Sequence, residues 1–174
     1  MTFPDTLITT YLKVETKPEA LQEPLPPANT SIQQMTYSDV AYYRFLYREV
    51  GEMWRWRDRL LLDDETLREM LTEPKRPVYV LYKHGVPAGY VELHHLLDAV
   101  EIAYFGLRPA FFGQGLGKYL LNYGLYRAWT LAEEIQRVWL HTCNLDSPRA
   151  LPNYQARGFV IYDVKEEPMP ARFE

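Results

Sequence analysis

Three glycines at alternate positions, Gly113, Gly115 and Gly117, form the most informative group of residues in the sequence. They follow an apolar run and a proline and precede an amphipathic stretch, an order that predicts a strand, a turn and then a helix. Glycine lets a backbone turn sharply and approach a ligand closely, and the free amides at a helix N-terminus attract negative charge. The pattern therefore predicts a backbone cradle for a phosphate or pyrophosphate group.

Two nucleotide-binding motifs fit this cradle poorly. A P-loop requires Ser or Thr after its Gly-Lys pair, but Tyr119 follows Gly117-Lys118, and Phe112 occupies the place of the first glycine. A dinucleotide fingerprint requires a third glycine where Lys118 stands, and its glycines follow the strand directly. A protein that binds ATP or NAD is therefore the weakest of the functional hypotheses.

A third pattern fits the glycines better. Residues 112–117 read FGQGLG and resemble the Arg/Gln-x-x-Gly-x-Gly/Ala loop of the GNAT superfamily (GCN5-related N-acetyltransferases), with Phe112 at the Arg/Gln position. At the distance expected in that family, a strand over residues 137–142 is followed by residues 150–159, which resemble its A-L-x-x-Y-x-x-x-G-F motif. The resemblance covers roughly residues 35–165.

The resemblance implies a fold and a co-substrate. The fold is of the mixed α/β (α+β) class, with a central, mostly antiparallel sheet, two splayed parallel strands and about four flanking helices. The co-substrate is acetyl-CoA, with its pyrophosphate on the glycine loop and its thioester carbonyl facing a backbone N–H of the first splayed strand. The implied cofactor-binding residues are Phe105, Leu107, Phe112, Gly113, Gln114, Gly115, Leu116, Gly117, Lys118, Asn144 and Ser147.

Two side chains are candidates for the proton transfers of amine acetylation. An alkylammonium with a pKa near ~10.4 must lose a proton before it can attack, and Glu101 is the predicted general base, with Glu92 and His141 as alternatives. The segment around Glu101 resembles the A-E-I run of the histone-acetylating branch. Tyr154 matches the family's tyrosine and is predicted to protonate the departing thiolate. The alternatives are a solvent-facing Glu101 and a Tyr154 that only packs against the core.

The segment of residues 53–59, MWRWRDR, lies between two predicted helices, where the family shapes its acceptor site. Trp54 and Trp56 are predicted to form an apolar wall, and Arg57 or a neighbouring arginine to bind a carboxylate, which would suit an acidic amine. The alternative is an aromatic plug with solvated arginines. We predict no metal site, because the adjacent His94 and His95 would face opposite sides of a strand.

Hydrophobic periodicity predicts the elements that must position these residues. The predicted strands cover residues 6–15, 31–36, 78–82, 88–94, 99–107, 137–142 and 159–165, and the predicted helices cover residues 39–50, 63–70, 114–132 and 148–157. Four prolines between residues 17 and 29 predict a loop, and the tail 166–174 is expected to be loose. By resemblance, residues 99–107 and 137–142 are the two splayed strands.

Composition limits the functional classes. The 174 residues are expected to form one domain, with an N-terminal strand and Pro-rich loop over residues 1–35 and the acetyltransferase core over residues 36–165. A net charge of −4 without a basic tract argues against nucleic-acid binding. A single cysteine, Cys143, and the lack of a signal peptide or of an apolar run of roughly 18 residues predict a cytoplasmic protein without a membrane partner.

The predicted function is direct transfer of acetyl from acetyl-CoA to a primary amine of a small molecule or peptide. A ping-pong route through the Cys143 thiol is a minor alternative. A non-catalytic acyl-CoA-binding sensor or interaction module is the alternative from another class. The sequence leaves a homodimer open.

Overall fold

The computed structural model describes residues 3–173; Met1, Thr2 and Glu174, which belong to the predicted N-terminal extension and tail, lie outside them. In chain order the elements are β1 (Thr6–Val14), β2 (Thr30–Gln34), α1 (Val40–Gly51), α2 (Asp64–Thr72), β3 (Val78–Lys83), β4 (Val86–Leu96), β5 (Ala99–Leu107), α3 (Leu116–Thr130), β6 (Arg137–Cys143), α4 (Ala150–Gln155) and β7 (Val160–Pro168). Short 3₁₀ turns cover Glu52–Trp54, Asp58–Leu60, Pro109–Phe111 and Ala171–Phe173.

The strands form one seven-stranded sheet in the order β2-β3-β4-β5-β6-β1-β7. Every neighbouring pair is antiparallel except β5 and β6, which are parallel. The helices α1 and α2 pack on one face of the sheet, over a cluster that includes Tyr43, Leu46 and Tyr90. The helices α3 and α4 cover the other face, over the larger cluster that includes Leu120 and Val138. The predicted mixed α/β class with a mostly antiparallel sheet is confirmed.

The two parallel strands separate soon after they start. They pair only from Ala99 with Arg137 to Glu101 with Trp139, although β5 continues for six residues beyond Glu101. The predicted splay of residues 99–107 and 137–142 is therefore confirmed. Beyond Glu101, the edge of β5 that faces β6 presents backbone groups that pair with no strand among residues 3–173. Because buried backbone groups require partners, this opening is suited to a ligand with polar atoms.

The N-terminal strand lies inside the sheet. β1 is hydrogen-bonded to β6 on one side and to β7 on the other, so that Tyr11 is opposite both His141 and Asp163. The side chain of Leu12 is fully buried in the larger core cluster. The first strand of the chain therefore holds β6 in the sheet.

The helices α1, α2 and α3 start close to the predicted residues. The Asp39 carboxylate accepts the N–H of Tyr42 at the start of α1, and the Asp63 carboxylate accepts the N–H of Thr66 at the start of α2. Aspartate is among the residue types preferred at this position. The helix α3 starts at Leu116, two residues later than predicted, because Gly115 has a left-handed backbone (φ 76°).

The prediction of a loose tail is wrong for the described part of it. β7 continues to Pro168, which is opposite Thr6 on β1. Arg172 then forms an ion pair with Asp58 at 2.9 Å, and the carbonyl of Phe173 accepts a hydrogen bond from Arg55. These partners are distant in the sequence, so the local composition of the tail could not reveal them.

We expect Leu12→Ala to lower the free energy of unfolding by about 2–5 kcal/mol, because it removes a fully buried side chain. Leu25→Ala is the matched control, since Leu25 is 90% exposed in the Pro-rich loop and its truncation should change stability by less than about 0.5 kcal/mol. Urea denaturation measures both variants. Equal, small effects would contradict the inclusion of β1 in the core.

Candidate active site

The glycine loop between β5 and α3 is open and has free backbone donors. Gly113 and Gly115 both have φ of 76°, and a Cβ added at either would meet no atom of residues 3–173 within 4 Å. Within the same range, no hydrogen bond uses the N–H groups of Gly113, Gln114 or Gly115. The first amides of α3 also lack intrahelical partners, as at every helix start. The loop therefore presents consecutive N–H groups that can bind a phosphate.

The side chains of this loop take little part in that cradle. Leu116 is 1% exposed and belongs to the core, so only its backbone can reach a ligand. Phe112 is 43% exposed, which leaves a large apolar side chain where the family motif has Arg or Gln. Lys118 is exposed, and the Gln114 amide reaches back to the Ala110 carbonyl at 3.4 Å. Any anion held here depends chiefly on main-chain amides.

A β-bulge determines which residues of β5 face the opening. Glu92 is opposite Tyr104, whereas Leu93 is opposite Ile102, so that Ala103 is the extra residue. Because Glu92 and His94 alternate onto one face of β4, their partners Tyr104 and Glu101 also share a face. The bulge thus places the Glu101 carboxylate and the Tyr104 ring side by side on the face that α1 and α2 cover.

Glu101 lies where β5 and β6 separate, between two imidazoles. Its carboxylate oxygens are 3.8 Å from Nδ1 of His94 and 3.7 Å from Nδ1 of His141. The Glu101 side chain is only 15% exposed, and burial is the main cause that raises its pKa above the ordinary value. Burial likewise lowers the pKa of both histidines. A carboxylate with a raised pKa, flanked by neutral imidazoles, can accept a proton near neutrality.

Tyr154 lies on the opposite side of the opening. Its ring makes edge contacts with Phe105 at 6.3 Å and Phe159 at 6.1 Å between centroids, and it is 8% exposed. No hydrogen bond of its hydroxyl occurs within residues 3–173. Burial, and then the charge of Asp146, raise the pKa of Tyr154, so the phenol stays protonated and available as a proton donor. Phe105 thus contributes a side-chain contact as well as its backbone.

Asp146 is a residue that the sequence analysis missed, because its turn sequence indicated only the start of a helix. Its Oδ2 accepts hydrogen bonds from the Thr142 hydroxyl at 2.8 Å and from the Cys143 N–H at 3.0 Å. Its Oδ1 is 3.4 Å from the indole N–H of Trp56. The carboxylate therefore connects the end of β6 to the segment between α1 and α2, across the opening.

Trp56 packs directly on Gly51, where no Cβ would fit, and its indole also lies near Gly106. A Cβ at Gly51 would lie 2.4 Å from the indole, and one at Gly106 would meet Val50 at 2.5 Å and the indole at 3.8 Å. The ring also packs against Tyr47 and Tyr104 at 5.5 and 5.1 Å between centroids. The predicted Trp56 wall thus lies beside the opening, whereas Trp54 makes no ring contact with another aromatic residue between residues 3 and 173.

A buried ion pair lies behind this wall. Arg59 donates from Nη2 to Oε1 of Glu92 at 2.8 Å, and the Tyr43 hydroxyl donates to Oε2 at 2.5 Å. Glu92 is 2% exposed, and the Arg59 guanidinium also stacks 4.9 Å from the Tyr104 ring centre. Glu92 is therefore engaged and enclosed, which argues against it as the alternative base.

Three further side chains are predicted to bind the co-substrate or the acceptor: Asn144, Ser147 and Arg57. The amide of Asn144 accepts the N–H of Ile8 and donates to the carbonyl of Thr6, so it joins β6 to β1. The hydroxyl of Ser147 accepts the N–H of Arg149 at 3.3 Å. Arg57 donates to the carbonyl of Trp56 at 3.1 Å. All three side chains bond to the protein's own backbone, and these bonds do not show whether the side chains would also contact a co-substrate or an acceptor. Their binding roles therefore stay predictions.

The acetyltransferase (GNAT) family profile matches residues 41–159 of the sequence. The chain belongs to the GNAT family. The match includes β5, the glycine loop, α3, β6 and α4, the elements that surround the opening. The GNAT family consists of acetyltransferases, which generally use acetyl-CoA. No curated protein matches the sequence significantly.

Solved structures show the same fold at low sequence identity. A GCN5-related N-acetyltransferase from Kribbella flavida is 17% identical with a TM-score of 0.63, over 94% of this chain and 58% of its own. An aminoglycoside acetyltransferase from an uncultured soil metagenomic sample is 18% identical with a TM-score of 0.60, over 74% and 86%. The ribosomal-protein-S18-alanine N-acetyltransferase of Escherichia coli is 16% identical with a TM-score of 0.59, over 74% and 76%.

Coverage differs among these relatives. This chain spans less than two thirds of the Kribbella flavida chain and 60% of a Staphylococcus epidermidis protein of unknown function with a TM-score of 0.63. Between residues 3 and 173, no helix is long and apolar enough to cross a membrane. The same part of the chain contains no group of three or more His, Cys, Asp or Glu side chains that could hold a metal ion.

Arg59→Met should destabilise the fold by about 3–5 kcal/mol, because it leaves the buried Glu92 carboxylate without its cation. Arg57→Met is the control, since the Arg57 guanidinium bonds only to a backbone carbonyl in residues 3–173, and it should cost less than about 1 kcal/mol. Urea unfolding at pH 7 compares the two. Equal stabilities of the variants would show that the Arg59–Glu92 pair does not support the site.

Proposed function

We propose that this chain transfers the acetyl group of acetyl-CoA directly to a primary amine of a small molecule or a peptide. The observation that carries the proposal is the opening between β5 and β6, with the open glycine loop at one end and Glu101 at the other. A pantetheine arm has the extended shape and the amide groups that suit unpaired strand edges. The thioester would then lie between the two proton-transfer candidates.

The glycine loop is proposed to bind the pyrophosphate. The N–H groups of Gly113, Gln114 and Gly115 have no hydrogen-bond partners in the described chain, whereas that of Phe112 bonds to the Pro109 carbonyl. The N-terminus of α3 adds the positive end of a helix dipole. The proposal keeps residues 112–118 as a backbone site, with Phe112 contributing packing where other members have Arg or Gln. The backbone N–H groups around Phe105 and Leu107 are the proposed donors to the thioester oxygen.

Glu101 is proposed to take the proton from the attacking ammonium. The carboxylate is on the same face as Tyr104 and Trp56, the face on which the acceptor would arrive. The amine then forms a bond to the carbonyl carbon as the carbon–sulfur bond breaks, and the acylated nitrogen loses its second proton to water to give the neutral amide. Tyr154, which burial and Asp146 keep protonated, is proposed to donate its proton to the departing thiolate. The base and the acid would thus act from two sides of the opening.

Direct transfer is favoured over a covalent route through Cys143. Burial, followed by the charge of Asp146, raises the pKa of the Cys143 thiol to about 11. Because the thiolate is the nucleophilic form, very little of it is present at neutral pH. The local charge that disfavours the thiolate is the same one that keeps Tyr154 protonated, so both effects of Asp146 support the direct mechanism.

Calorimetric titration should show saturable binding of acetyl-CoA, with no binding of ATP or NAD. Gly115→Val should weaken it, because a β-branched residue disfavours the left-handed backbone (φ 76°) of the cradle. Gly85→Val is the matched control: Gly85 has the same φ in the β3–β4 turn, and no atom of the described residues lies within 4 Å of its Cβ position. Equal loss in both variants would contradict the cradle. If acetyl-CoA binds but no amine is acetylated, and Tyr154→Phe leaves this binding unchanged, the alternative of a non-catalytic acyl-CoA-binding sensor is favoured.

Glu101→Gln should lower kcat by about 10²–10⁴-fold, because an amide cannot accept the proton. Since burial raises the pKa of Glu101, the carboxylate is protonated below that pKa, and the wild-type rate should fall as the pH drops through it. The variant should lose this acidic limb. Glu52→Gln, at an exposed residue of a 3₁₀ turn, is the control. An unchanged pH profile in Glu101→Gln would assign the base elsewhere, with His141 as the remaining candidate.

A further inference from the structure

We propose that the acceptor is a small amine with a second positive charge, and that Asp146 is the residue that selects it. The inference rests on the proposed acetyl transfer and deepens it by naming the substrate class. It replaces the expectation of an acidic acceptor, which the sequence suggested through the arginines of residues 53–59.

The arginines next to the opening are already engaged. Arg59 is paired with Glu92 and Tyr43. Arg55 donates to the carbonyl of Phe173 and stacks 4.4 Å from the Phe3 ring centre. Among the three, only Arg57 keeps most of its donors, and its one hydrogen bond in residues 3–173 goes to a main-chain carbonyl. Of the three arginines, only Arg57 could therefore still bind a ligand carboxylate, because Arg55 and Arg59 already have partners in the protein.

One carboxylate oxygen of Asp146, Oδ1, can accept a further hydrogen bond on the acceptor side. The turn after β6 uses Oδ2 twice, for Thr142 and Cys143, whereas Oδ1 has only the long contact to the Trp56 indole. A carboxylate oxygen can accept at least two hydrogen bonds. Beside it, the Tyr154 hydroxyl is without a partner in the described chain, although the residue is 8% exposed. An acceptor group with several N–H donors would satisfy Asp146 Oδ1 without breaking the turn.

Two carboxylates at the opening lack a directly contacting Lys or Arg, although the charges of Arg76 and Arg59 act on Glu101 from farther away. No Lys or Arg of the described residues forms an ion pair with Glu101 or Asp146, and the contacts of Glu101 are to histidines with lowered pKa. Glu101 is paired with Trp139, and Asp146 bonds to Thr142, three residues farther along β6. At ~3.3 Å per residue, the two sites are about 10 Å apart along the strand, before side-chain length is considered. One short diamine can therefore interact with both.

The surrounding rings also suit cations. Trp56 and Tyr104 line the opening. Farther along the same face of the sheet, the Lys165 ammonium lies 5.0 Å from the Tyr11 ring centre and the Lys13 ammonium 5.6 Å from that of Tyr162. Ammonium groups thus already rest on aromatic rings of this face, a contact that is favourable for cations and not for carboxylates.

The first test compares three ligands of equal chain length on the wild-type protein. We would titrate 1,4-diaminobutane, n-butylamine and 4-aminobutanoate into the protein saturated with CoA and measure heat. The diamine should bind about tenfold to a hundredfold more tightly than the monoamine, as a charge-assisted hydrogen bond would allow. The amino acid should bind most weakly. Binding of 4-aminobutanoate at least as tight as that of n-butylamine, or no binding of the diamine, would overturn the inference.

The second test locates the selectivity. Asp146→Asn should give the diamine and the monoamine equal affinities, while the amide can still accept from the Cys143 N–H. Asp163→Asn is the control, because it removes the same charge from the same face, at a residue that is opposite Tyr11, and should keep the preference. A far-ultraviolet circular dichroism spectrum like that of the wild type verifies that Asp146→Asn is folded. A diamine preference that survives in Asp146→Asn would overturn the role of Asp146.

Release of CoA separates this inference from the proposed function. If the diamine binds through Asp146 but no amine releases CoA, the substrate class stands as a ligand class and the acetyl transfer fails. If n-butylamine binds and is acetylated as well as the diamine, acetyl transfer stands and the selectivity is wrong.

Discussion

The early separation of β5 from β6 is the constraint on which the rest of the structure depends. Parallel strands normally continue their ladder as far as both extend, and here the ladder ends at Glu101 and Trp139. The unpaired edges must then find other polar partners. Antiparallel neighbours hold both strands in place: β4 on the outer side of β5 and β1 on the outer side of β6. The opening therefore persists between two well-supported halves of one sheet.

The two halves contribute different chemistry. The half made of β2 to β5 carries Glu101 and the aromatic wall, and the buried Arg59–Glu92 pair fixes the segment that holds Trp56. The half made of β6, β1 and β7 carries His141 and the turn with Asp146. Asp146 acts on both, since its charge affects the pKa of Tyr154 and of Cys143 while its second oxygen reaches Trp56. In the proposed reaction, charge at this one turn would affect both the proton donor Tyr154 and the recognition of the acceptor.

Much of the fold could be predicted from local patterns. The limits of β5 agree with the alternation and turns of the sequence, and Asp39 and Asp63 cap helices as their residue types indicate. The position of β1 between β6 and β7 could not be predicted, because strand order depends on long-range pairing that a short apolar alternation does not encode. The anchored tail was missed for the same reason.

The site was predicted less completely than the fold. The glycine loop, Glu101 and Tyr154 could be singled out as candidates because glycine spacing and family motifs are local signals, and their roles stay predictions. Asp146 was missed because a helix-start sequence has an ordinary structural explanation, and the contact with Trp56 joins residues ninety positions apart. Likewise, the sequence did not indicate why positions 51 and 106 are glycine: a side chain would clash with the Trp56 indole at Gly51 and with Val50 at Gly106.

Hydrogen–deuterium exchange with and without acetyl-CoA tests the central claim most directly. If the co-substrate lies between the separated strands, it should slow exchange at those amides of residues 102–107 and 140–143 that point into the opening, and at the cradle amides of residues 113–118. The other amides of these strand segments point towards β4 or β1. Amides of β2 and β3, far from the opening in the sheet order, should exchange at unchanged rates. Protection that is confined to other parts of the chain, with the β5 and β6 edges still exchanging freely, would contradict the account.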